Sequence, residues 1–329
     1  EFRRVLFRSS ATTSAPATAP GPVADVVALG DSYASGEGAA DFAELEGVTP
    51  CHRSPVNVSA VATTAVDDDW TRVDATCSGA ETPDLVTPQA LDDGTTNAPQ
   101  LDSLSTLAPD GARMVTLSIG GNDAGFGSVL LECVLVGLGA IELFEGRLGE
   151  DGPGEGIAPR EGETCEERNT FLGYCSAEEA ERGGPPQCPE SEQVVNRGPR
   201  TEEYLTTAFA DTLAATYDQV IAELVEVTSA WGAVDLSRAV IVYVTDYPLI
   251  FPAAPAEACA TIEPSDLLWL NRMWTIANEV IAREVAEADA RAAGAASPVS
   301  IRFQHVPLGD VLDGHRLCEA EPADPPTAG

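Results

Sequence analysis

A serine in a short turn after an apolar run is the residue of this sequence best placed to do chemistry. Ser32 belongs to residues 30–38, Gly-Asp-Ser-Tyr-Ala-Ser-Gly-Glu-Gly, and follows residues 26–29, whose composition is typical of a buried parallel strand. Open α/β sheets bind their ligands at the carboxyl ends of their strands, so Ser32 is a candidate nucleophile. On its own, Gly-Asp-Ser after a strand is more often simply a turn in which Asp and Ser bond to nearby backbone groups.

A serine hydroxyl needs a base to take its proton, and the sequence offers three histidines for that role. His52 stands beside a cysteine at the start of a predicted helix, and His305 ends a predicted strand just before a proline, which favours structural roles for both. His315 lies in a glycine-containing loop beyond the last predicted strand. We therefore predict His315 as the general base.

The elements that must position these residues alternate between strands and helices. Predicted strands cover residues 26–29, 71–76, 112–119, 239–244 and 299–303. Predicted helices cover residues 55–65, with Ser54 as N-cap, and 102–107, 126–143, 201–230 and 264–293. The alternation predicts an α/β fold, a three-layer α/β/α sandwich around a mostly parallel five-stranded sheet.

The predicted strands and helices belong to one domain, with a short segment outside it at each end of the sequence. We expect residues 23–320 to form a single domain. Residues 1–22 before it should comprise a short non-native fragment followed by an Ala/Thr/Pro linker, and residues 321–329 after it should fray. Within the domain, residues 145–200 are rich in Gly, Pro and Glu, which predicts an insertion. Two roles are possible for this insertion: a lid over the site, or a surface loop with no function in catalysis.

Composition excludes several classes of protein. Against 18 basic residues stand 53 acidic ones, a formal net charge of −35, so the protein should repel nucleic acid. All the basic residues are arginine, which excludes a Schiff-base lysine and a phosphate-binding lysine. No apolar run reaches the roughly 18 residues of a membrane helix, so we expect no stable membrane insertion.

Four short segments resemble the sequence blocks of a known family, in the family's order. They are residues 30–38, 77–80, 120–123 and 313–318. The sequence is similar at these segments to the SGNH (GDSL-type) hydrolases, and in particular to the secreted actinobacterial esterases and lipases. The segments extend over nearly the whole chain, so the resemblance implies the fold of that family and a serine ester hydrolase.

The resemblance also implies the roles of individual residues. Ser32 attacks the ester carbonyl, His315 passes the proton to the departing alcohol, and water then cleaves the acyl-enzyme. The oxyanion hole consists of the backbone N–H groups of Ser32 and Gly79 and the side-chain amide of Asn122. Neither a metal nor an organic cofactor is needed. Because the base must be neutral, we expect activity to fall below about pH 6.

The group that orients His315 departs from the family pattern. The family usually has an aspartate three residues before this histidine, where the sequence has Leu312. Asp313 and Asp310 are the nearby substitutes, and we predict Asp313 as the third member of the catalytic group. In some relatives a main-chain carbonyl takes this role instead.

The cysteines are even in number and include no CxxC pair, which favours disulfides and an oxidising compartment over metal binding, with buried free thiols as the alternative. The resemblance and the positions of the strand ends imply the pairs Cys51–Cys77 and Cys259–Cys318. The remaining cysteines, which would pair among themselves, are Cys133, Cys165, Cys175 and Cys188. No signal peptide is visible, so secretion is inferred from the cysteines, the linker and the resemblance.

The predicted function is therefore that of a secreted, monomeric esterase or lipase acting on a small-molecule or lipid ester. Two alternatives keep the same fold. One is a carbohydrate deacetylase or phospholipase, and the other is a relative that binds lipid or carbohydrate without hydrolysing it.

Overall fold

The computed structural model describes residues 24–37, 39, 50–67, 69–91, 93–108, 111–126, 198–231, 239–253, 259, 262 and 264–319. In these ranges the strands are β1 (Ala24–Gly30), β2 (Arg72–Asp74), β3 (Gln89–Ala90), β4 (Thr96–Asn97), β5 (Ala112–Ser118), β6 (Val240–Thr245) and β7 (Ile301–Val306). The helices are α1 (Ser32–Ser35), α2 (Val58–Val66), α3 (Asp102–Thr106), α4 (Gly198–Thr206), α5 (Ala208–Ala230) and α6 (Pro264–Ala293), with a 3₁₀ turn at Thr82–Leu85.

Five of the strands form one parallel sheet in the order β2-β1-β5-β6-β7. Its register places Val27 of β1 between Val73 of β2 and Val115 of β5. Strands β3 and β4 form a separate antiparallel pair. The predicted fold class, an α/β fold built on a five-stranded parallel sheet, is confirmed.

Helices cover both faces of this sheet, because the chain leaves β1 toward β2 in one direction and later continues through β5, β6 and β7 in the other. Every residue of β1 is buried. Val27 and Leu29 join the main core with α5 and α6, while Ala28 points to the opposite face beside Val58 of α2. Strand β1 is thus covered on both sides, as its near-continuous hydrophobic run indicated.

Helix α2 begins later than the sequence pattern predicts. Ser54 is not its N-cap, because the Ser54 hydroxyl accepts a hydrogen bond from the Val56 N–H at 3.2 Å and so forms a turn of its own. The N-cap is Asn57, whose side-chain oxygen accepts from the Ala60 N–H at 3.0 Å. Two residues suited to capping compete here, and the second one starts the helix.

The helix predicted over 201–230 is two helices, α4 and α5, which are separated at Thr207 (φ −122°, ψ −85°). The hydroxyls of Thr206 and Thr207 donate to the carbonyls of Glu202 and Glu203, at 2.8 and 2.6 Å. Threonine hydroxyls that bond back to the preceding turn bend helices, and two successive ones stand at this break. The prediction of one continuous helix was wrong at this point.

Two disulfides, Cys51–Cys77 and Cys259–Cys318, join the described cysteines in the two pairs expected above. Several predictions lie outside the described residues: the linker over 1–22, the helix over 126–143 beyond Phe126, the insertion over 145–200 with its cysteines, and the tail over 321–329. In the part of the chain that the structure describes, none of the helices combines the length and the apolarity needed to cross a membrane.

Candidate active site

The four residues singled out by the sequence all follow carboxyl ends of strands in the parallel sheet. Ser32 comes directly after β1, Gly79 follows β2, Asn122 follows β5 and His315 follows β7. Because the five strands are parallel, these ends share one edge of the sheet. The topology therefore collects all four segments at the edge where such sheets bind ligands.

The turn that carries Ser32, residues 30–32, is held against the end of β5. The Asp31 N–H donates to the carbonyl of Ser118 at 2.9 Å. Gly30 has φ +135°, and a Cβ at this position would lie 2.1 Å from the Ser118 oxygen, so only glycine fits. Asp31 caps α1 by accepting from the Tyr33 N–H at 3.0 Å, which makes Ser32 the first residue of that helix. We call residues 30–32 the nucleophile turn.

Asp31 is a buried carboxyl group directly beside the candidate nucleophile, with 1% of its surface exposed. The pKa of Asp31 is raised to about 6, chiefly by burial and to a smaller extent by the charge of Asp123, against the lowering effect of hydrogen bonds from Tyr247 and Tyr33. From the sequence, Asp31 was expected to be only a residue of the turn.

Asn122 and Gly79 lie on neighbouring segments. The Asn122 side-chain amide donates to the carbonyl of Ala80 at 2.8 Å, so the turn formed by residues 120–123, here the amide turn, meets the loop that carries Gly79. Gly79 adopts φ +74°, in the left-handed region that favours glycine. The Cys77 N–H donates to the carbonyl of Gly30 at 2.9 Å, which ties the same loop to the nucleophile turn.

The amide turn is also fixed by its last residue, Asp123. The Asp123 carboxylate accepts from both the N–H and the hydroxyl of Thr82, the latter at 2.5 Å. Burial raises the pKa of Asp123, and the bonds from Thr82 lower it. The Tyr204 hydroxyl of α4 donates to the Asp123 carbonyl at 2.8 Å.

Sequence reasoning missed one residue that contacts both turns, Tyr247, which follows β6. Its hydroxyl donates to the Asp31 carboxylate at 2.5 Å and accepts from the Gly121 N–H at 2.8 Å. Burial, and then the charge of Asp31, raise the pKa of Tyr247 well above its usual 10.0, so the phenol stays protonated and can donate. The available signal was its position just after the fourth apolar run, the position in which Ser32 and Asn122 also occur.

The loop that carries His315 is tied to the segment after β6. The Leu317 N–H donates to the carbonyl of Ile250 at 2.8 Å, and the Cys259–Cys318 disulfide closes the same region. The side chain of His315 is exposed, and the backbone N–H of His315 donates to the carbonyl of Leu312 at 2.8 Å. The segment that supplies Tyr247 to the nucleophile turn thus also anchors the histidine loop.

Among the described residues, no hydrogen bond joins the Ser32 hydroxyl to the His315 ring, and neither group bonds to another described side chain. Catalytic hydrogen bonds are often long or poorly aligned in an enzyme without substrate. The Asp313 carboxylate accepts a hydrogen bond from the buried Arg316, which also lies 3.6 Å from Asp310. Both aspartates weighed as orienting groups therefore contact an arginine.

The other two histidines pair with carboxylates. His305 Nε2 lies 3.0 Å from Asp246, whose second oxygen accepts from the Leu308 N–H, so this pair joins the ends of β6 and β7. His52 Nδ1 lies 3.0 Å from Glu37 at the surface. Both histidine–carboxylate contacts join separate segments of the chain, which is a structural role.

An apolar cavity lies beside the amide turn, between that turn and helices α4 and α6. Its enclosed part is small, about 30 Å³, and the larger space of about 340 Å³ between its walls includes open solvent. Its lining includes Ala124, Phe126, Leu205, Trp269, Met273 and Trp274. Phe126 and Trp274 pack with ring centroids 3.8 Å apart. A chain of methylene groups would find only apolar contacts along these side chains.

No family model matches the chain. Curated relatives are lipases: the lipase of Streptomyces rimosus is 37% identical over 133 residues, 40% of this chain and 41% of the relative. Lipase 1 of Streptomyces coelicolor is 35% identical over 147 residues, 41% of this chain and 47% of the relative. Lipase 2 of the same organism is 42% identical over 112 residues, 33% of each. The chain thus spans between a third and about half of the length of the curated relatives it matches.

Solved structures extend the likeness across the chain at the level of fold. The extracellular lipase from Streptomyces rimosus superimposes with a TM-score of 0.53 and 20% identity, covering 91% of this chain and 86% of that one. The phospholipase A1 from Streptomyces albidoflavus NA297 does so with a TM-score of 0.52 and 19% identity, covering 91% and 85%. Over part of its sequence the chain is therefore similar to Streptomyces lipases, and in its fold, a five-stranded parallel sheet with helices, it is similar to these two solved Streptomyces enzymes.

Proposed function

We propose that this protein is a serine ester hydrolase that cleaves lipid esters through an acyl-enzyme. The observation that carries the proposal is the arrival of Ser32, Gly79, Asn122 and His315 at one edge of the parallel sheet, each after a different strand. The lipase relatives support the same class of reaction, although they match only part of the chain.

In this mechanism Ser32 is the nucleophile and His315 the general base. Attack on the ester carbonyl forms a bond from Ser32 Oγ to carbon, and the Ser32 proton passes to His315. The tetrahedral oxyanion is stabilised by the N–H groups of Ser32 and Gly79 and by the Asn122 amide. Collapse expels the alcohol, which takes the proton from His315, and water then releases the acid by the same steps.

Two groups are candidates for the third member of the catalytic group, which would orient His315. Asp313, the sequence-based choice, bonds to Arg316, so it would have to exchange this partner in order to reach His315. A main-chain carbonyl that accepts from the His315 ring is the other candidate.

The apolar side chains that line the cavity from Ala124 and Phe126 onward, just after the amide turn, favour an acyl chain over an acetyl group as the substituent that is cleaved. Its walls carry aromatic and aliphatic side chains and continue directly from the amide turn through Ala124 and Phe126. A deacetylase has no need of such a cavity, since an acetyl group ends after one methyl. The same argument suits a lipase and a phospholipase equally.

We also propose that the protein is secreted. The two disulfides of the described chain are stable in an oxidising compartment, and a solved relative of the same fold is an extracellular lipase.

The test is hydrolysis of p-nitrophenyl esters with acyl chains of two to about twelve carbons, the range over which an apolar cavity discriminates by roughly 1 kcal/mol per buried methylene. Wild type should cleave them with a preference for chains longer than acetyl, and Ser32→Ala and His315→Ala should lose nearly all turnover. Ser105→Ala and His52→Gln are the matched controls and should keep it, since Ser105 is exposed on α3 and His52 pairs with Glu37 at the surface. A wild-type protein without esterase activity, or a fully active Ser32→Ala variant, would rule the proposal out.

A further inference from the structure

We propose that Tyr247 is a positioning residue, whose hydroxyl holds the nucleophile turn and the amide turn at the separation that ester hydrolysis requires. The inference rests on the proposed function and adds to it a residue that lies outside the four family blocks. It concerns a group that acts through its neighbours and does not touch the substrate.

The hydroxyl of Tyr247 bridges the two turns directly. It donates to one oxygen of Asp31, at 2.5 Å, and accepts from the Gly121 N–H, at 2.8 Å. The other Asp31 oxygen accepts from the Tyr33 N–H and thereby caps the helix that begins with Ser32. One oxygen atom therefore connects the residue before the nucleophile to the residue before the oxyanion-hole amide.

Tyr247 is itself held rigidly, so its hydroxyl is a fixed point. The side chain of Asn278 on α6 bonds to both backbone groups of Tyr247, accepting from its N–H at 3.2 Å and donating to its carbonyl at 2.7 Å. The ring packs between Trp274 and Tyr33, with centroid distances of 5.4 and 5.8 Å. The position of the hydroxyl is thus set by Asn278 and Trp274 of α6, which belong to neither turn, while the contact with Tyr33 links the ring a second time to the segment that carries Ser32.

The close approach at Gly121 is a second, independent sign that this contact is specific. A Cβ at Gly121 would lie 3.0 Å from both Cζ and the hydroxyl oxygen of Tyr247. Any other residue at Gly121 would push the ring away from the turn or the turn away from the ring. The glycine is needed for space and not for an unusual φ.

Removal of the hydroxyl would leave two buried polar groups without this partner. The Asp31 carboxylate would keep its backbone donors, and the Gly121 N–H would lose its acceptor, so each turn is expected to shift toward other partners. Ser32 and Asn122, next in the chain, would shift with them. Substrate binding in the apolar cavity is retained, so the loss should fall on kcat and not on KM.

The experiment compares Tyr247→Phe with a matched control, Tyr217→Phe. Tyr217 is also fully buried, but its hydroxyl has no hydrogen-bond partner among the described residues, so its removal breaks no bond. We expect Tyr247→Phe to lower kcat by about 100-fold, the effect of misplacing reacting groups by about 1 Å, with KM within about threefold of wild type. Tyr217→Phe should keep both constants. The rate at which a fluorophosphonate labels Ser32 should fall in parallel with kcat.

Two further variants keep the proposal falsifiable. Gly121→Ala should reproduce the kcat loss by displacing the Tyr247 ring. If Tyr247→Phe does not fold, Gly121→Ala takes its place in the test, and a kcat within about threefold of wild type would then overturn the inference. The combination of Tyr247→Phe with Asp31→Asn should lose no more activity than the greater single variant, because both act through one bond. A kcat within about threefold of wild type for folded Tyr247→Phe, or a loss in KM alone, would overturn the inference. Esterase activity that is absent from wild type would instead overturn the proposed function.

Discussion

Replacing Asp31 by asparagine should make the stability of the protein less dependent on pH in the mildly acidic range. Asp31 is the buried carboxyl group that caps α1 and accepts from the Tyr247 hydroxyl. Asparagine has the same shape and keeps one carbonyl oxygen for the helix cap, but it does not ionise. The substitution therefore isolates the free energy of charging this group inside the protein.

The sign follows from the direction of the pKa shift. Burial raises the pKa of Asp31 from 3.8 to about 6, so between these two values the folded protein holds a proton that the unfolded chain has released. A raised pKa contributes stability that is complete below the unfolded value and is lost as the pH rises through the folded value. The shift of about two pKa units corresponds to about 3 kcal/mol, lost by the wild type between about pH 4 and pH 7.

The measurement is the free energy of unfolding by urea at several values between pH 4 and pH 7, for wild type and for Asp31→Asn, with the disulfides intact. The other ionisable groups are common to both proteins, so their contributions cancel in the difference. We expect Asp31→Asn to gain about 3 kcal/mol relative to wild type from pH 4 to pH 7.

Asp93 provides the control of opposite sign. It is exposed, and hydrogen bonds from Thr95 lower its pKa, so Asp93→Asn should lose a little stability relative to wild type as the pH rises. The reasoning about Asp31 would be refuted by a difference between Asp31→Asn and wild type that stays constant within about 1 kcal/mol from pH 4 to pH 7.

Two further predictions concern the oxyanion hole and the histidine loop. Asn122→Ala removes one predicted oxyanion donor and its bond to Ala80, and it should lower kcat by about 100- to 1000-fold in steady-state assays; a decrease of less than about threefold would remove Asn122 from the hole. Cys259→Ser with Cys318→Ser opens a loop of 59 residues, and urea titration should show a loss of about 4 kcal/mol, whereas an unchanged midpoint would mean that this bridge contributes nothing to stability.

Local patterns in the sequence were enough to predict most strands and the residues that follow them. Ser32 and Asn122 each come directly after an apolar run, and such runs mark buried parallel strands whatever their partners are. Local competition between neighbouring residues was harder to predict. Asn57 rather than Ser54 starts α2, and Thr207 interrupts a helix whose apolar spacing continues on both sides, because side-chain bonds to the backbone outweigh periodicity there.

Contacts between distant parts of the chain were decided by the tertiary structure alone. Tyr247 meets Asp31 and Gly121 across 216 and 126 residues of sequence, so no local spacing could reveal the bridge. The sequence by itself determined which elements form and which residues stand at the strand ends, since these depend on propensity and on short-range polarity. Packing decided which of those residues share a hydrogen bond, because that depends on how helix α6 and the strand-end loops fit around a single buried oxygen atom.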